Sequence, residues 1–460
     1  MKALADPTNA LALGLAAIRG QYKVPDSFPP EVCDAAADAA RRVPNPHIDR
    51  TDIGFVTLDP ATSTDLDQAF AIERSGGDLL LRYAIADVAW FVDDGGAIDA
   101  EAWRRGTTLY LPDGKARLYP PILSEAAASL LPDGARPAVI FTVRVAADGA
   151  VRLDGAERAI IHSRAKLAYD KVRDDELPGG FVELAERIAA AETRRGAARV
   201  DPPEQEVAAL GNGRYGLVFR PRLLSEDRNA ALSLAANLAI ADAMLSHRTG
   251  LFRVMVPPDD KAVERLRLTA RAFGLDWPAA TSLAEFERTL DPQDPRQAAF
   301  MLAIRKASPG ASYAPYRDGV LPWHAAMAAT YAHATAPLRR LADRYVIRAA
   351  LAIANGRPVP DGVTEAFARL PQVMARADGL SSQVDRAVID LAEAVMLRGQ
   401  EGHVFAAIVT TVDQRGLRLQ LRDLPIVATM AGEGAPGDIV NVRLTAADPE
   451  QRRIAFEPSG

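Results

Sequence analysis

The chain has 460 residues, of which 48% are hydrophobic and 25% are charged, a balance that supplies a large core and suggests about three domains. The formal net charge of −6 argues against a protein that coats nucleic acid nonspecifically, so any nucleic-acid site must be a local basic cluster. The single cysteine, Cys33, excludes an internal disulfide and a site built from several thiolates, which fits a reducing, cytoplasmic location.

The first 50 residues predict a helical arm. The segments TNALALGLAAIRG and FPPEVCDAAADAARRV look helical, and Pro29 and Pro30 suit a helix start. The sequence leaves open whether this arm packs on the rest of the chain or forms a minimal helix-turn-helix. Asp6 and Asn9 interrupt the first segment and no small-residue cleavage site is clear, so we predict a short helix there and not a signal peptide. No apolar run approaches the ~20 residues that span a membrane, so no membrane partner is expected.

Residues 51–400 predict an α+β region in which strands come first and helices follow. From about residue 52 to 175 the apolar pattern has period two, broken by Gly, Asp and Pro, which is typical of strands. From about residue 180 to 400 the period is helical. Residues 401–460 return to short strands, which favour a small five-stranded OB-type barrel and, equally, any other small β-domain.

The segment DPATSTDLDQAF, at residues 59–70, places three aspartates between two predicted strands. If the chain is extended again after a five-residue loop, Asp65 and Asp67 point the same way and can meet Asp59. Two carboxylates ~4 Å apart cost each other about 4 kcal/mol at an effective dielectric of ~20, so a bound cation is a reason to tolerate them. A pair of Mg²⁺ ions would suit phosphoryl displacement. An aspartate-rich turn with capping roles is an equally weighted alternative, and the six histidines show no zinc-site spacing.

The segment YAHATAPLRRLADRYVIRAAL predicts a helix that begins near Pro337, with Thr335 as its cap. Three arginines recur at every fourth position and share a face, namely Arg340, Arg344 and Arg348. Arg339 lies beside them, one turn from Asp343. Arginine suits bidentate phosphate binding, so this helix is a candidate phosphate-binding face. The alternative is a solvated face that carries an Arg339–Asp343 ion pair.

These segments, with others in the same order, resemble the ribonuclease II (RNB) family of 3′→5′ exoribonucleases. The matching segments are VTLDPATSTDLDQA, YAIADVAWFV, RGTTLYLPD, LSEAAASLLP, HSRAKLAYDKV and YAHATAPLRRLAD, the last of which is similar to the family's T-S-P-I-R-x-Y-x-D signature. They cover about residues 52–350. The resemblance implies an α+β fold with an RNB catalytic domain over residues 51–400 and an OB-type RNA-binding barrel over residues 401–460. It also implies a channel that leads single-stranded RNA to a buried Mg²⁺ site.

The resemblance implies roles for individual residues. Metal ligation falls on Asp59, Asp65, Asp67 and Gln68, with Mg²⁺ as the cofactor and Mn²⁺ able to substitute. Catalysis falls on Asp65, Asp67 and Arg339, the last placed to stabilise charge on the scissile phosphate. RNA binding falls on Tyr110, Tyr169 and Arg340, and Arg344 joins them as part of the same helix face. Stacking of a base on each tyrosine would be worth ~1–3 kcal/mol.

The sequence departs from the family pattern at several positions. Gln68 stands where the family has a fourth aspartate, which removes one charge from the predicted metal site. Ala336 and Leu341 replace the signature's serine and tyrosine. The family's acidic residue on the helix after the strand region has no secure counterpart, although Glu226 and Asp227 are nearby. The N-terminal arm is too short for the paired cold-shock barrels of bacterial relatives.

The sequence as a whole predicts a Mg²⁺-dependent hydrolytic 3′→5′ exoribonuclease, a monomer that degrades single-stranded RNA to nucleoside 5′-monophosphates. The alternative is a catalytically weakened RNA-binding regulator that keeps the RNB channel, with Gln68 as its lesion. Retention of Asp59, Asp65, Asp67 and Arg339 favours the enzyme. A third interpretation, a metal-dependent phosphohydrolase acting on DNA or mononucleotides, is disfavoured by the two tyrosines and the barrel.

Overall fold

The computed structural model describes residues 2–3, 9–197, 204–211, 214–220, 222–291, 294–308, 310–413 and 416–459. The helices in these ranges are α1 (Ala10–Gln21), α2 (Pro30–Ala40), α3 (Val88–Phe91), α4 (Ala97–Arg105), α5 (Phe181–Arg194), α6 (Leu224–Ser246), α7 (Asp260–Ala272), α8 (Leu283–Glu287), α9 (Pro295–Ala307), α10 (Leu341–Ala354) and α11 (Asp361–Leu397). The strands are β1 (Lys2–Ala3), β2 (Ile48–Asp49), β3 (Val56–Asp59), β4 (Gln68–Ser75), β5 (Asp78–Ala86), β6 (Leu109–Leu111), β7 (Gly114–Ala116), β8 (Arg136–Val145), β9 (Val151–Ile161), β10 (Ala165–Ala168), β11 (Glu204–Gly211), β12 (Arg214–Arg220), β13 (Leu251–Val254), β14 (Ser312–Pro315), β15 (Trp323–His324), β16 (Ala329–Thr330), β17 (Val404–Asp413), β18 (Gly416–Leu421), β19 (Val427–Met430), β20 (Ile439–Asp448) and β21 (Arg453–Pro458).

A seven-stranded mixed sheet lies at the centre of the protein, in the order β10-β3-β4-β5-β8-β9-β2. Its inner strands pair antiparallel, whereas β10 pairs parallel with β3 and β2 pairs parallel with β9. Helix α6 packs on β8 and β9, α10 packs on β9, and α5 packs on α6. The sheet and these helices share one large hydrophobic core, so the predicted α+β class is confirmed.

Helix α6 is long and apolar enough to cross a membrane by length and composition alone. However, 67% of its most apolar window is buried inside the protein, which is the behaviour of a core helix. The helix begins where Glu226 accepts a hydrogen bond of 2.7 Å from the Leu223 amide and pairs with Arg220. Glu226 therefore acts as a cap at the start of α6.

Strands β17 to β21 form an antiparallel sheet in the order β19-β18-β17-β20-β21, and β19 also contacts β21, so the sheet curls towards a barrel. This is the small C-terminal β-domain that the sequence predicted. Helix α11 connects it to the central sheet. The first half of α11 buries Phe367 and Met374 in the central core, and its second half buries Leu391 and Val395 in a second core shared with the barrel.

The N-terminal arm packs against the rest of the chain, which decides between the two alternatives left open by the sequence. Helix α1 buries Leu15 and Ile18 in the core that contains the barrel, and α2 buries Val32 and Ala36 in the central core. Pro30 occupies the first turn of α2, where its missing N–H costs no helical hydrogen bond.

The region between residues 180 and 400 is less uniformly helical than its period predicts. Three short antiparallel pairs lie there, β11 with β12, β13 with β14 and β15 with β16. The strands of the second pair are separated by α7 to α9, which surround a small third core of Trp277, Phe286 and Phe300. Because β13 and β14 are far apart in the chain, local periodicity gives little sign that they pair.

Candidate active site

The acidic segment lies between β3 and β4, outside both strands except for its ends. Asp59 is the last residue of β3, residues 60–67 form an irregular connection, and β4 begins at Gln68. The prediction that Asp65 and Asp67 lie on one extended strand is therefore wrong. Each acidic side chain has a different set of partners, and these partners determine what each one can do.

Asp67 connects the acidic segment, residues 59–70, to the segment that contains Leu338 and Arg339. Its side chain is 4% exposed, its Oδ1 accepts a hydrogen bond of 2.7 Å from the Leu338 amide, and its Oδ2 lies 3.3 Å from Arg339 Nε. Burial raises the pKa of Asp67 to about 7, although Arg339 and the Leu338 amide act to lower the pKa. A carboxylate in this position needs a nearby cation to stay ionised at neutral pH.

Asp59 carries a carboxylate oxygen that has no hydrogen-bond partner among the described residues. This atom, Oδ2, is fully buried. Burial raises the pKa of Asp59 to about 7, with Arg339 and Lys166 acting in the opposite direction. A buried carboxylate oxygen with no partner is costly, and a bound cation would offset that cost.

Asp65 is already paired within the protein. Its Oδ1 lies 2.7 Å from Lys115 Nζ, and its Oδ2 accepts a hydrogen bond of 3.2 Å from the Tyr110 hydroxyl. Lys115 and Tyr110 both belong to the hairpin of β6 and β7. Asp65 therefore points towards this hairpin.

Gln68 faces the central sheet. Its side chain is 7% exposed, and its Oε1 accepts hydrogen bonds of 2.5 Å from the Tyr83 hydroxyl and 3.2 Å from the Ser233 hydroxyl. Ser233 Oγ also lies 2.6 Å from the Tyr83 hydroxyl, so the amide oxygen and the two hydroxyls form one small cluster. In this arrangement the amide oxygen of Gln68 is engaged by neighbouring hydroxyls, and its predicted role as a metal ligand stays a prediction.

The residues fit a divalent cation in part. The unpartnered Asp59 Oδ2 and the Asp67 carboxylate are hard oxygen donors of the kind that Mg²⁺ accepts. Within the described ranges, however, no three His, Cys, Asp or Glu side chains are grouped so that they could hold a metal ion. This result agrees with the pairing of Asp65 to Lys115 and Tyr110 in the hairpin. The metal roles of the three aspartates also stay predictions.

Arg339 is held by its backbone while its side chain remains 44% exposed. Its carbonyl accepts hydrogen bonds from the Thr108 amide at 3.0 Å and the Thr107 hydroxyl at 2.7 Å. The next turn is fixed by the Leu341 amide, which donates to the Gly106 carbonyl at 3.0 Å. Gly106 has a φ of +74°, and a Cβ there would lie 2.8 Å from that of Ala377, so a larger residue would not fit.

Helix α10 begins later than predicted, at Leu341, and Thr335 does not cap it. Asp343 is completely buried and accepts a hydrogen bond of 2.8 Å from the Ala336 amide. Asp343 also binds the Arg340 guanidinium through both oxygens, at 3.0 Å and 2.7 Å. The Arg339–Asp343 ion pair of the alternative interpretation is therefore not formed, because Arg340 binds Asp343 and Arg339 contacts Asp67 instead.

Arg344 does not lie on an RNA-binding face. Its side chain is 1% exposed and forms an ion pair with Asp99 and a hydrogen bond of 2.7 Å with the Tyr345 hydroxyl. The prediction that Arg344 binds RNA is therefore wrong, because a buried and paired guanidinium cannot reach a phosphate. The predicted helix face does not include Arg340, which precedes α10 with an extended backbone, and Arg344 turns inwards. Arg348 lies at the surface and pairs with Asp94 at 2.7 Å.

The two predicted stacking tyrosines contact different aspartates of the acidic segment, Tyr110 at Asp65 and Tyr169 at Asp59. Tyr110 is 49% exposed and lines a cleft of about 580 Å³ whose wall includes β11 and α11. The Tyr169 amide donates to the Asp59 carbonyl at 3.2 Å, and its hydroxyl accepts a hydrogen bond of 2.8 Å from Asn229. The structure places both rings near the acidic segment, and their contact with RNA stays a prediction.

A family model described as the RNB domain matches residues 48–355, which contain all of these side chains. The chain belongs to the RNB family. A second model, described as the RNase II-type exonuclease C-terminal S1 domain, matches residues 403–459. These residues form the barrel, so the predicted OB-type architecture is confirmed. Helix α11 lies between the two matched ranges.

Curated relatives of this RNB protein are ribonucleases. Ribonuclease R of Aquifex aeolicus is 27% identical, over 95% of this chain and 69% of its own length. Ribonuclease R of Escherichia coli is 25% identical over 95% of this chain and 60% of its own length. Exoribonuclease 2 of Cronobacter sakazakii is 28% identical over 83% of this chain and 62% of its own length. The chain thus spans roughly three fifths to two thirds of the length of such relatives.

Solved structures share the RNB fold. Mycoplasma genitalium RNase R in complex with ribose methylated single-stranded RNA has a TM-score of 0.87, with 19% identity, 98% of this chain and 78% of that chain covered. Yeast Ssd1, described as a pseudonuclease, has a TM-score of 0.71, with 16% identity, 95% of this chain and 57% of that chain covered. At these identities the likeness shows the fold alone.

Sequence reasoning about the RNB motifs missed Lys115 and gave Asp343 the wrong partner. Lys115 pairs directly with Tyr110 across a short hairpin whose loop has two residues, so their side chains share a face, and this spacing was visible in RGTTLYLPDGKAR. Asp343 was seen, but its partner was assigned by helical spacing and the helix begins too late for that spacing to apply.

Proposed function

We propose that the protein is a divalent-metal-dependent, hydrolytic 3′→5′ exoribonuclease that degrades single-stranded RNA to nucleoside 5′-monophosphates. The observation that carries the proposal is the contact between Asp67 and Arg339, formed next to the unpartnered carboxylate of Asp59 in a chain of the RNB family. We expect it to act as a monomer and in the cytoplasm.

The roles of the side chains follow from their placement. Asp59 and Asp67 would hold the cation, and a bound Mg²⁺ would act as a Lewis acid on a phosphoryl oxygen. The exposed part of Arg339 is free to approach the same phosphate, while Asp67 and the two threonine contacts fix its backbone and one edge of its guanidinium. A positive group fixed in advance stabilises negative charge that develops on the phosphate without having to reorganise.

The surroundings of the aspartates support a single-stranded substrate. Tyr110 faces a cleft and Tyr169 lies beside Asp59, so each ring could stack on a base without reading its sequence. The S1-type barrel belongs to a class of domain that binds single strands. Arg340 is largely enclosed and bonded to Asp343. We therefore propose that its main role is to hold the shape of the loop, and that binding RNA is secondary.

The deciding experiment uses a 5′-labelled single-stranded RNA with the purified protein and Mg²⁺, with EDTA as a control. A ladder that shortens from the 3′ end and release of nucleoside 5′-monophosphates are expected. A parallel reaction with DNA of the same sequence tests the phosphohydrolase alternative. The Asp67→Asn variant, purified in the same way, is the control for cleavage by a contaminating nuclease. An intact RNA band at all Mg²⁺ and Mn²⁺ concentrations would contradict the proposal.

A second candidate is an RNA-binding regulator with weakened catalysis. It is favoured by one observation, that Gln68 is uncharged and that its amide oxygen is already occupied by Tyr83 and Ser233. The likeness of fold to the pseudonuclease Ssd1 makes this outcome reasonable for the family. A gel shift with RNA that persists without any ladder would select the regulator.

A further inference from the structure

Lys115 is a fixed part of the acidic site. It lies directly opposite Tyr110 in the β6–β7 hairpin, so the two side chains are on the same face of the hairpin and both reach Asp65. The hairpin is tied to α1, because Arg19 donates to both carboxylate oxygens of Asp113 in the hairpin loop, at 3.0 Å and 2.8 Å. The lysine is therefore held in place by its backbone.

The ammonium group of Lys115 is also fixed by its own contacts. It lies 2.7 Å from Asp65 Oδ1 and 2.8 Å from Glu125 Oε1, and its side chain is 17% exposed. Glu125 is in turn bonded to the Thr64 hydroxyl at 2.9 Å and lies 3.0 Å from Arg117 Nε. Burial acts to raise the pKa of Glu125, but these partners outweigh it and hold the pKa at about 2. Glu125 is thus a permanent anion on the far side of Lys115.

These contacts make Lys115 the counter-charge of Asp65. A divalent ion on the same carboxylate would have to share it with an ammonium group of the same sign, which is unfavourable at such short range. Gln68 contributes no charge, and Glu125, which shares Lys115, is itself paired with Arg117. Lys115 and Arg339 therefore still offset two of the three formal negative charges of Asp59, Asp65 and Asp67. The charge that is left suits one divalent ion better than two.

We propose that Lys115 is a built-in cation that occupies Asp65 in place of a second metal, so that the protein binds one divalent ion, at Asp59 and Asp67. The proposal deepens the proposed function, on which it rests for the presence of a metal ion at those two residues. It names the side chain that sets the number of ions. Tyr110, which donates to the other oxygen of Asp65, completes the occupation of that carboxylate.

The test counts Mn²⁺ ions bound per chain, by the paramagnetic resonance signal of free Mn²⁺, with the full chain and without RNA. The variant Asp59→Asn/Asp67→Asn gives the number of ions bound elsewhere on the surface, which is subtracted. We expect one ion for the wild type and a second ion for Lys115→Met. Lys115→Arg keeps the charge and should bind one ion. Lys261→Met, which removes an equal charge from an exposed position on α7, should also bind one.

The outcomes separate this inference from the proposed function. Two ions in the wild type, or the same count and affinity in Lys115→Met as in the wild type, would overturn the inference and leave a metal-dependent nuclease intact. No ion in either protein would overturn the inference together with the metal site. If Lys115→Met melts too early to be measured, the wild-type count and Lys115→Arg still decide, since two ions in either of them contradict the proposal.

Discussion

The Leu338 amide donates a hydrogen bond of 2.7 Å to Asp67 Oδ1, and this bond fastens the acidic segment to the segment that carries Arg339. The other oxygen of Asp67 lies 3.3 Å from Arg339 Nε. One carboxylate thus sets the position of its own segment and of the arginine side chain. Asp67 is consequently placed both to hold a cation and to orient Arg339.

Asp67→Asn should greatly reduce turnover while RNA affinity stays near that of the wild type. The amide can still accept from Leu338, but it loses the charge, and removal of one preorganised charged or hydrogen-bonding group typically costs about 10²–10³ in rate. Single-turnover cleavage and fluorescence anisotropy with labelled RNA measure the two effects. Asp52→Asn, an exposed change upstream in the chain, is the control. An equal loss of rate and affinity would mean that Asp67 chiefly supports the fold.

Arg339→Ala should lower the rate constant of the chemical step more than it weakens RNA binding. The backbone of residue 339 is held by Thr107 and Thr108, so the loop should keep its shape when the side chain is removed. A contact that is strongest in the transition state affects the rate constant more than the dissociation constant. Arg348→Ala, which removes an arginine paired with Asp94 at the surface, is the matched control. Weaker RNA binding with an unchanged rate constant for the chemical step would show that Arg339 contacts RNA in the channel and does not act on the reacting phosphate.

Tyr169→Ala should change the length of the final product, whereas Tyr169→Phe should leave it close to that of the wild type. The ring is what would stack on a base, and the hydroxyl only accepts a hydrogen bond from Asn229 at 2.8 Å. Loss of one stacked base would weaken the hold on short oligomers by ~1–3 kcal/mol, so they should be released earlier. High-resolution gels of limit digests show the lengths. Identical limit products for all three proteins would exclude stacking at Tyr169.

Gln68→Asp should leave the Mg²⁺ dependence of the initial rate unchanged and lower the melting temperature. The side chain faces Tyr83 and Ser233, so the new carboxylate would be buried away from the cation. The loss of a satisfied buried hydrogen bond costs about 1–3 kcal/mol, and a buried charge adds to it. Mg²⁺ titrations and melting curves for both proteins provide the measurement. A lower half-saturating Mg²⁺ concentration for Gln68→Asp would instead show that the side chain at position 68 reaches the metal ion.

The junction between α11 and the barrel should depend on pH through Glu393. Burial raises the pKa of this carboxyl to about 7, against hydrogen bonds from the Val427 amide and Gln205 that act to lower it. Because the folded protein then binds the proton more tightly than the unfolded chain, the stabilisation is complete below about pH 4.5 and is lost as the pH rises to about 7. The change is on the order of 3 kcal/mol.

Glu393→Gln should remove this slope, since its amide oxygen can still accept from Val427 and Gln205. The measurement is the melting temperature of both proteins between pH 5 and pH 8, roughly the span of the titration. The exposed Glu450→Gln on the barrel is the control. Parallel pH profiles for wild type and Glu393→Gln would show that another group is responsible.

The sequence by itself determined the family, the α+β class and the position of the C-terminal barrel. Ordered motifs such as DPATSTDLDQA and YAHATAPLRRLAD suffice for this, because they are local strings whose residue types the chemistry requires. The period-two and helical patterns also gave the order of strands and helices, since each pattern depends only on neighbouring residues.

The tertiary structure decided which partner each charged side chain meets. Helical spacing predicted that Arg340 and Arg344 share a face, but it could not tell that the helix begins after Arg340 or that Arg344 turns into the core towards Asp99. Lys115 on Asp65, and Ser233 on Gln68, are contacts between segments far apart in the chain. Such contacts arise from the way the hairpin, the loop and the sheet pack together, and no local pattern of residues encodes that packing. The charge that surrounds the acidic side chains was therefore settled only by the fold.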